Sequence, residues 1–141
     1  MNRDFFVKYH AAVTKASEDH LEKLKSQVGS EFANEFKEKA GGKIEDVQEF
    51  CSALQEYLEK DLGFAERAAV TCSEEKLTIQ VRGCDICYGN EALRKEKRPT
   101  LCPIIPAGLF SISRVGGRKA TLKGVTKSGV VGECDIAYEL S

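Results

Sequence analysis

Hydrophobic positions along this chain follow two different periods, and the change falls at Gly63. Before it the spacing is helical. Phe6, Tyr9, Val13, Leu21, Leu24 and Val28 recur with Lys and Glu between them, which predicts a helix from Asp4 to about Val28. Gly29-Ser30 predicts its end, because a serine oxygen can accept the backbone N–H groups left open at the start of a following helix. A second helix is expected from Glu31 to about Ala40, with Phe32 and Phe36 on one side and Gly41-Gly42 as its stop. A third is expected from Ile44 to Leu62, where Ile44, Val47, Cys51, Leu54, Tyr57, Leu58 and Leu62 trace a stripe close to 3.6-periodic. Gly63 supplies the left-handed residue favoured at a helix end.

After Gly63 the pattern alternates. Val70 and Cys72 lead into a turn at Ser73-Glu74-Glu75-Lys76, and Leu77, Ile79 and Val81 then alternate with Thr78, Gln80 and Arg82, which predicts a hairpin with one buried face. Asn90 to Arg98 reads as a charged helical segment ended by Pro99. Pro103 to Val115 breaks the amphipathic rule, with Ile104, Ile105, Ala107, Leu109, Phe110 and Ile112 relieved only by Ser111, Ser113 and Arg114. Such a helix is buried on most sides or faces something apolar. Pro103 and Pro106 fit in its first turn. A last hairpin follows, from Ala120 and Leu122 through Thr126-Lys127-Ser128-Gly129 to an alternating strand in which Cys134, Ile136, Tyr138 and Leu140 share a face. The fold class is therefore α+β: an N-terminal helical layer packed on an antiparallel sheet of two hairpins separated by a buried helix. A single domain over 1–141 is expected, with 1–63 the helical layer and 64–141 the sheet and a Cys-rich pocket region.

Charge and composition narrow the function. Lys and Arg number 21 against 22 Asp and Glu, so no overall field draws in nucleic acid or an anionic membrane. No apolar run approaches the ~20 residues of a membrane span, and Met-Asn-Arg-Asp-Phe-Phe lacks the apolar core of a signal peptide. These features predict a cytoplasmic protein with reduced thiols. In that setting six cysteines point to metal or redox chemistry before a disulfide framework.

Cys84 and Cys87 have the two-residue gap that lets successive thiolates grip one metal ion. Cys102 and Cys134 follow further on, so a four-thiolate site over Cys84, Cys87, Cys102 and Cys134 needs the tertiary fold to close it. Zinc is the first choice for such a set. An iron–sulfur cluster takes the same ligands, but the spacing matches neither ferredoxin pattern. Cys134 is equally explained by packing in an alternating strand, and Cys51 and Cys72 read as small core hydrophobes. Cys102 falls at a helix start, where the partial positive charge favours thiolate. His10 and His20 lie on different faces of the first helix and read as solvated or internally satisfied. Arg94, Lys95, Lys97 and Arg98 read as a solvated face. There is no glycine-rich phosphate loop, no Gly-x-Ser-x-Gly and no His-Glu-x-x-His.

The helical first half, the Cys-rich strand end, the apolar helix after Leu101-Cys102-Pro103, and Gly132-Glu133-Cys134-Asp135-Ile136-Ala137-Tyr138-Glu139-Leu140 together resemble the 4-vinyl-reductase domain. That family of small-molecule or hydrocarbon-binding domains shares its fold with TRAPP vesicle-tethering subunits. The resemblance covers about Ile44 to Leu140. It implies an apolar pocket between helices and sheet, zinc held by cysteines nearby, and a homodimer formed through the N-terminal helices. Lys123-Gly124-Val125-Thr126 lacks the Glu-x-x-Cys of some members, which leaves Cys84 and Cys87 to complete the site with Cys102 and Cys134. Leu101-Cys102 and Cys134-Asp135 are also similar to amino-thiazoline-carboxylate hydrolases, although Pro103-Ile104-Ile105 replaces the aspartate expected after the central cysteine.

The leading expectation is a sensor or carrier rather than a catalyst. It binds an apolar small molecule against Ile105, Leu109, Phe110 and Ile112, with zinc fixing the pocket wall. One alternative makes Cys102 a hydrolase nucleophile, with Asp85 or Glu133 as its base. The other is a thiol–disulfide switch through Cys84 and Cys87.

Overall fold

The computed structural model describes residues 3–141; Met1 and Asn2, where the signal-peptide reading begins, lie outside the described residues. The chain opens with α1 (Arg3–Ala16), a single tight turn at Glu18–His20, and α2 (Leu21–Ala40). The first break thus falls at Ser17 and not at Gly29-Ser30, which α2 passes straight through. Gly29 is needed for what lies across from it: a Cβ there would stand 2.7 Å from Pro106 Cγ and 2.9 Å from the backbone nitrogen of Ala107. What reads as a helix stop is a contact point between two helices. Gly41, with φ 76°, ends α2 as expected.

Helix α3 (Val47–Glu56) begins where Asp46 caps it, the carboxylate accepting the Glu49 N–H at 2.8 Å. Ile44 lies outside the helix, its N–H donated to the Val115 carbonyl at 2.8 Å. The helix ends in one wide π turn, Tyr57–Leu62, closed by left-handed Gly63. Strands β1 (Ala65–Cys72) and β2 (Lys76–Cys84) form the first hairpin. Helix α4 (Asp85–Lys95) follows β2 directly, five positions before the expected Asn90, so Cys87 sits in its first turn. Helix α5 (Ile104–Arg114) begins after Pro103, and β3 (Ala120–Thr126) and β4 (Cys134–Leu140) complete the chain.

The fold is α+β, with helices packed on one antiparallel sheet of order β1-β2-β4-β3. The two hairpins join through their second strands, which sets Leu77 opposite Tyr138, Ile79 opposite Ile136, and Val81 opposite Cys134. All six are buried. Sequestering each large apolar side chain is worth about 1.5–3 kcal/mol, so this seam anchors the sheet. Helix α5 is wedged between α2 and the sheet: Tyr138 Oη donates to the Ile105 carbonyl at 2.8 Å, and Gly108 lies against the same ring. Among the described residues no helix is long and apolar enough to cross a membrane.

Candidate functional site

Four elements deliver one thiol each to the same end of the sheet. Cys84 ends β2, Cys87 lies in the first turn of α4, Cys102 precedes α5, and Cys134 opens β4. The loop before β4 is pinned there by the Cys84 N–H, donated to the Gly132 carbonyl at 3.0 Å. Cys87 is the centre of the group, within hydrogen-bonding reach of both Cys134 and Cys84. Those two thiols, aided by Lys127 and Arg94, draw the Cys87 thiol down to about 3. Cys84 and Cys134 respond in the opposite sense: each is pushed up, first by donating to Cys87 and then by burial. One negative charge is thus held at Cys87 between two protonated thiols.

Cys102 lies within electrostatic range of the other three. The N–H groups of Ile104 and Ile105 favour its thiolate, as a helix start should, but burial outweighs them and the thiol is pushed up. The expected thiolate at Cys102 is overturned by desolvation. Among the described residues no group of three or more His, Cys, Asp and Glu side chains stands ready-spaced to hold a metal ion. The structure therefore gathers the four cysteines of the expected site without forming a finished cage.

In metal-free protein these opposed shifts set the sign of the pH dependence. The lowered pKa of Cys87 contributes stability above the ordinary thiol value of 9.0, and that contribution is lost as pH falls toward about 3. The raised pKa values of Cys84, Cys102 and Cys134 contribute stability below 9.0 that is lost above it. Denaturant titrations should therefore show stability rising from acid toward pH 9 and falling beyond it. Cys87→Ser should flatten the acid limb; an unchanged acid limb would show that Cys87 is not the charged thiol.

The two segments that carry Cys84, Cys87 and Cys102 also form one wall of a cavity of about 540 Å³. Asp85 and Ile86 line it from the first segment, and Leu101, Pro103 and Ile104 from the second. Phe6, Tyr9 and His10 of α1 face them, and Val28 and Phe32 of α2 and Leu62 to Phe64 complete the lining. A wider depression of about 780 Å³ along α2 is open and lined largely by Glu31, Glu35, Lys37 and Glu38, so the partly enclosed apolar cavity is the better candidate for a ligand.

The cavity wall is locked by a buried polar network. Asn90 Oδ1 accepts from the Leu101 N–H at 3.1 Å and meets His10 Nε2 at 2.8 Å, while Asn90 Nδ2 donates to the Leu101 carbonyl at 3.0 Å. Because Asn90 presents its oxygen to the ring, His10 carries its proton on Nε2. Both side chains are over nine-tenths buried. Thr14 Oγ1 donates to the His10 carbonyl at 2.7 Å and holds α1 in line.

Of the expected ligand-contacting residues Ile105, Leu109, Phe110 and Ile112, none lines this cavity; their neighbour Ile104 does. Only the start of α5 reaches it, because α2 covers the helix where Gly29 meets Pro106. Ile112 is fully buried in the core, and Phe110 lies under the Arg114 guanidinium at 4.6 Å. The basic run after Asn90 is partly neutralised, Arg94 by Glu91 and Arg98 by Glu18. Cys51 donates to the Val70 carbonyl at 3.0 Å and lies within reach of Cys72, both packed with the core. Phe6, Val28 and Phe32 were legible only as stripe residues, and nothing in their spacing marks a cavity. No protein-family model matches this chain, and no curated protein is similar enough to it to count as a match.

Proposed function

We propose that this chain is a small-molecule-binding domain of the 4-vinyl-reductase-like kind, which takes an apolar ligand in the cavity of about 540 Å³. The supporting observation is that one pair of segments does two jobs: Cys84 to Cys87 and Leu101 to Ile104 line the cavity on one side and carry three clustered thiols on the other. In this reading Cys84, Cys87, Cys102 and Cys134 are the zinc ligands. The donor set suits zinc, because Cys87 is already charged and the other sulfurs surround it. Bound zinc would supply a rigid crosslink holding the wall in place. Reduced thiols in the cytoplasm, and a homodimer formed through the N-terminal helices, where Tyr9 is exposed, belong to the same proposal.

An apolar fluorescent probe such as phenylnaphthylamine tests the cavity. Saturable binding is expected, weakened at least about tenfold by Val28→Trp, whose ring would occupy the space. Equal binding by wild type and Val28→Trp would remove the cavity from the reading. Native mass spectrometry tests the metal, with about one zinc per chain expected and loss of the ion on Cys87→Ser.

A second reading is favoured by one observation. Cys87 opens onto a surface recess of about 100 Å³ beside Arg94 and Lys127, which is where a reactive thiolate belongs. It would attack a low-molecular-weight disulfide and release one thiolate from it, forming a mixed disulfide, and Cys84 or Cys134 would then attack the Cys87 sulfur and expel the second thiolate. The outcome is an internal disulfide and a second released thiol. Metal-free protein that loses two hydrogens in mass on treatment with such a disulfide, at Cys87 and one neighbour, would put this reading first. Cys102 supports a hydrolase less well, since its thiol is buried and protonated.

A further inference from the structure

Strand β3 is open along its rim and over much of its surface. It has one neighbour in the sheet, and five of its seven residues are exposed. Leu122 and Val125 pair with Tyr138 and Ile136, so they belong to the core-facing side, yet they are 42% and 38% exposed. The helices that bury β4 leave these two side chains in water. Two further exposed apolar residues, Val130 and Val131, lie in the loop that follows.

The backbone phase is fixed by Lys119 and Ser141, which exchange both hydrogen bonds, at 3.3 and 2.9 Å. Alternate residues of an antiparallel strand point to opposite neighbours. Ala120 and Leu122 therefore aim their N–H and C=O groups at the empty side and, past the bulge between Leu122 and Gly124, so does Val125. Exposed Lys119, Lys123 and Lys127 punctuate the same stretch. Among the described residues none of the three forms a salt bridge, whereas nearby Arg118 is paired with Glu74 and Arg82 with Asp135.

The chain itself shows which strand β3 accepts. On its paired side lies β4, which carries Asp135 and Glu139 on the solvent face and Ile136 and Tyr138 on the core face. We propose that the free rim of β3 docks an extended segment of a partner protein in which carboxylate and apolar side chains alternate, added as a fifth strand. Its apolar side chains would cover Leu122 and Val125, and its carboxylates would meet Lys119 and Lys123. A second copy fits poorly, because β3 against β3 places lysines among lysines. The same charges that guard the edge against self-pairing select an acidic visitor.

The test is amide hydrogen exchange by NMR on the full chain with a short capped peptide alternating glutamate and valine. Comparators are a lysine–valine peptide and a backbone N-methylated copy of the acidic one. Exchange is expected to slow at Ala120, Leu122 and Val125, with β1, at the opposite edge, unchanged. Affinity should fall roughly tenfold or more for the lysine peptide, for the N-methylated peptide, and for a Lys119→Glu/Lys123→Glu variant of the protein. No slowing at β3 would overturn the proposal. So would equal binding of the N-methylated peptide, which would mean charge attraction without strand addition. Concentration-dependent slowing at β3 without peptide would assign the rim to a second copy and overturn it as well.

Discussion

Asn90→Leu is expected to destabilise the fold by about 4 kcal/mol, because it strands three buried polar groups at once. The His10 Nε2–H and the N–H and C=O of Leu101 all lose their partner, and among the described residues no other hydrogen bond to these groups is present to take over. Each buried group left unmatched costs about 1–3 kcal/mol, while leucine's own burial returns part of the loss. The change also acts beyond global stability. Leu101 lines the cavity and adjoins Cys102, so releasing its backbone loosens the wall and the thiol together. Urea titration of the variant, with apolar-probe binding measured on the fraction that remains folded, checks both effects. A loss under about 1 kcal/mol with binding intact would mean that the network is incidental to the wall.

The second large effect is expected at Gly29. In an open helix, glycine to alanine stabilises by about 1 kcal/mol. Here the sign should reverse, since the added Cβ would stand 2.7 Å from Pro106 Cγ and 2.9 Å from a backbone nitrogen that cannot step aside. Overpacking of this kind costs about 1–3 kcal/mol, and Gly29→Val, being larger and β-branched, belongs at or above the upper end. The contact is shared, so Pro106→Ala should restore part of the stability lost by Gly29→Ala. Additive losses in the double variant would show that the two helices do not meet as closely as described.

Gly29 also shows why parts of this fold resist reading from sequence. A Gly-Ser pair after a helical stripe looks like a stop, and only the proline arriving from α5 reveals it as a helix crossing. The early start of α4 escaped for a similar reason, as Gly89 packs on the His10 ring instead of breaking the helix. The alternating strands, the third helix, expected from Ile44 to Leu62 and found from Val47, and the buried α5 were legible because each is a local periodic pattern. The thiols were legible through residue type and spacing. The cavity was not, because its lining comes from separate segments that share no pattern, and because a one-residue rotation of α5 exchanges Ile104 for Ile105.

The joining of the two hairpins through β2 and β4 has a kinetic consequence. Each hairpin can zip locally, but Val81 meets Cys134 only after a loop containing α4, α5 and all of β3 has closed. Closing such a loop is slow compared with turn formation, so the inner rim of β2 stays unsatisfied until late in folding. Cys84 and Cys134 sit at the end of that seam, so their encounter reports its completion. A stopped-flow refolding experiment that follows thiol protection should find it appearing with the slowest phase, after helical content has already formed.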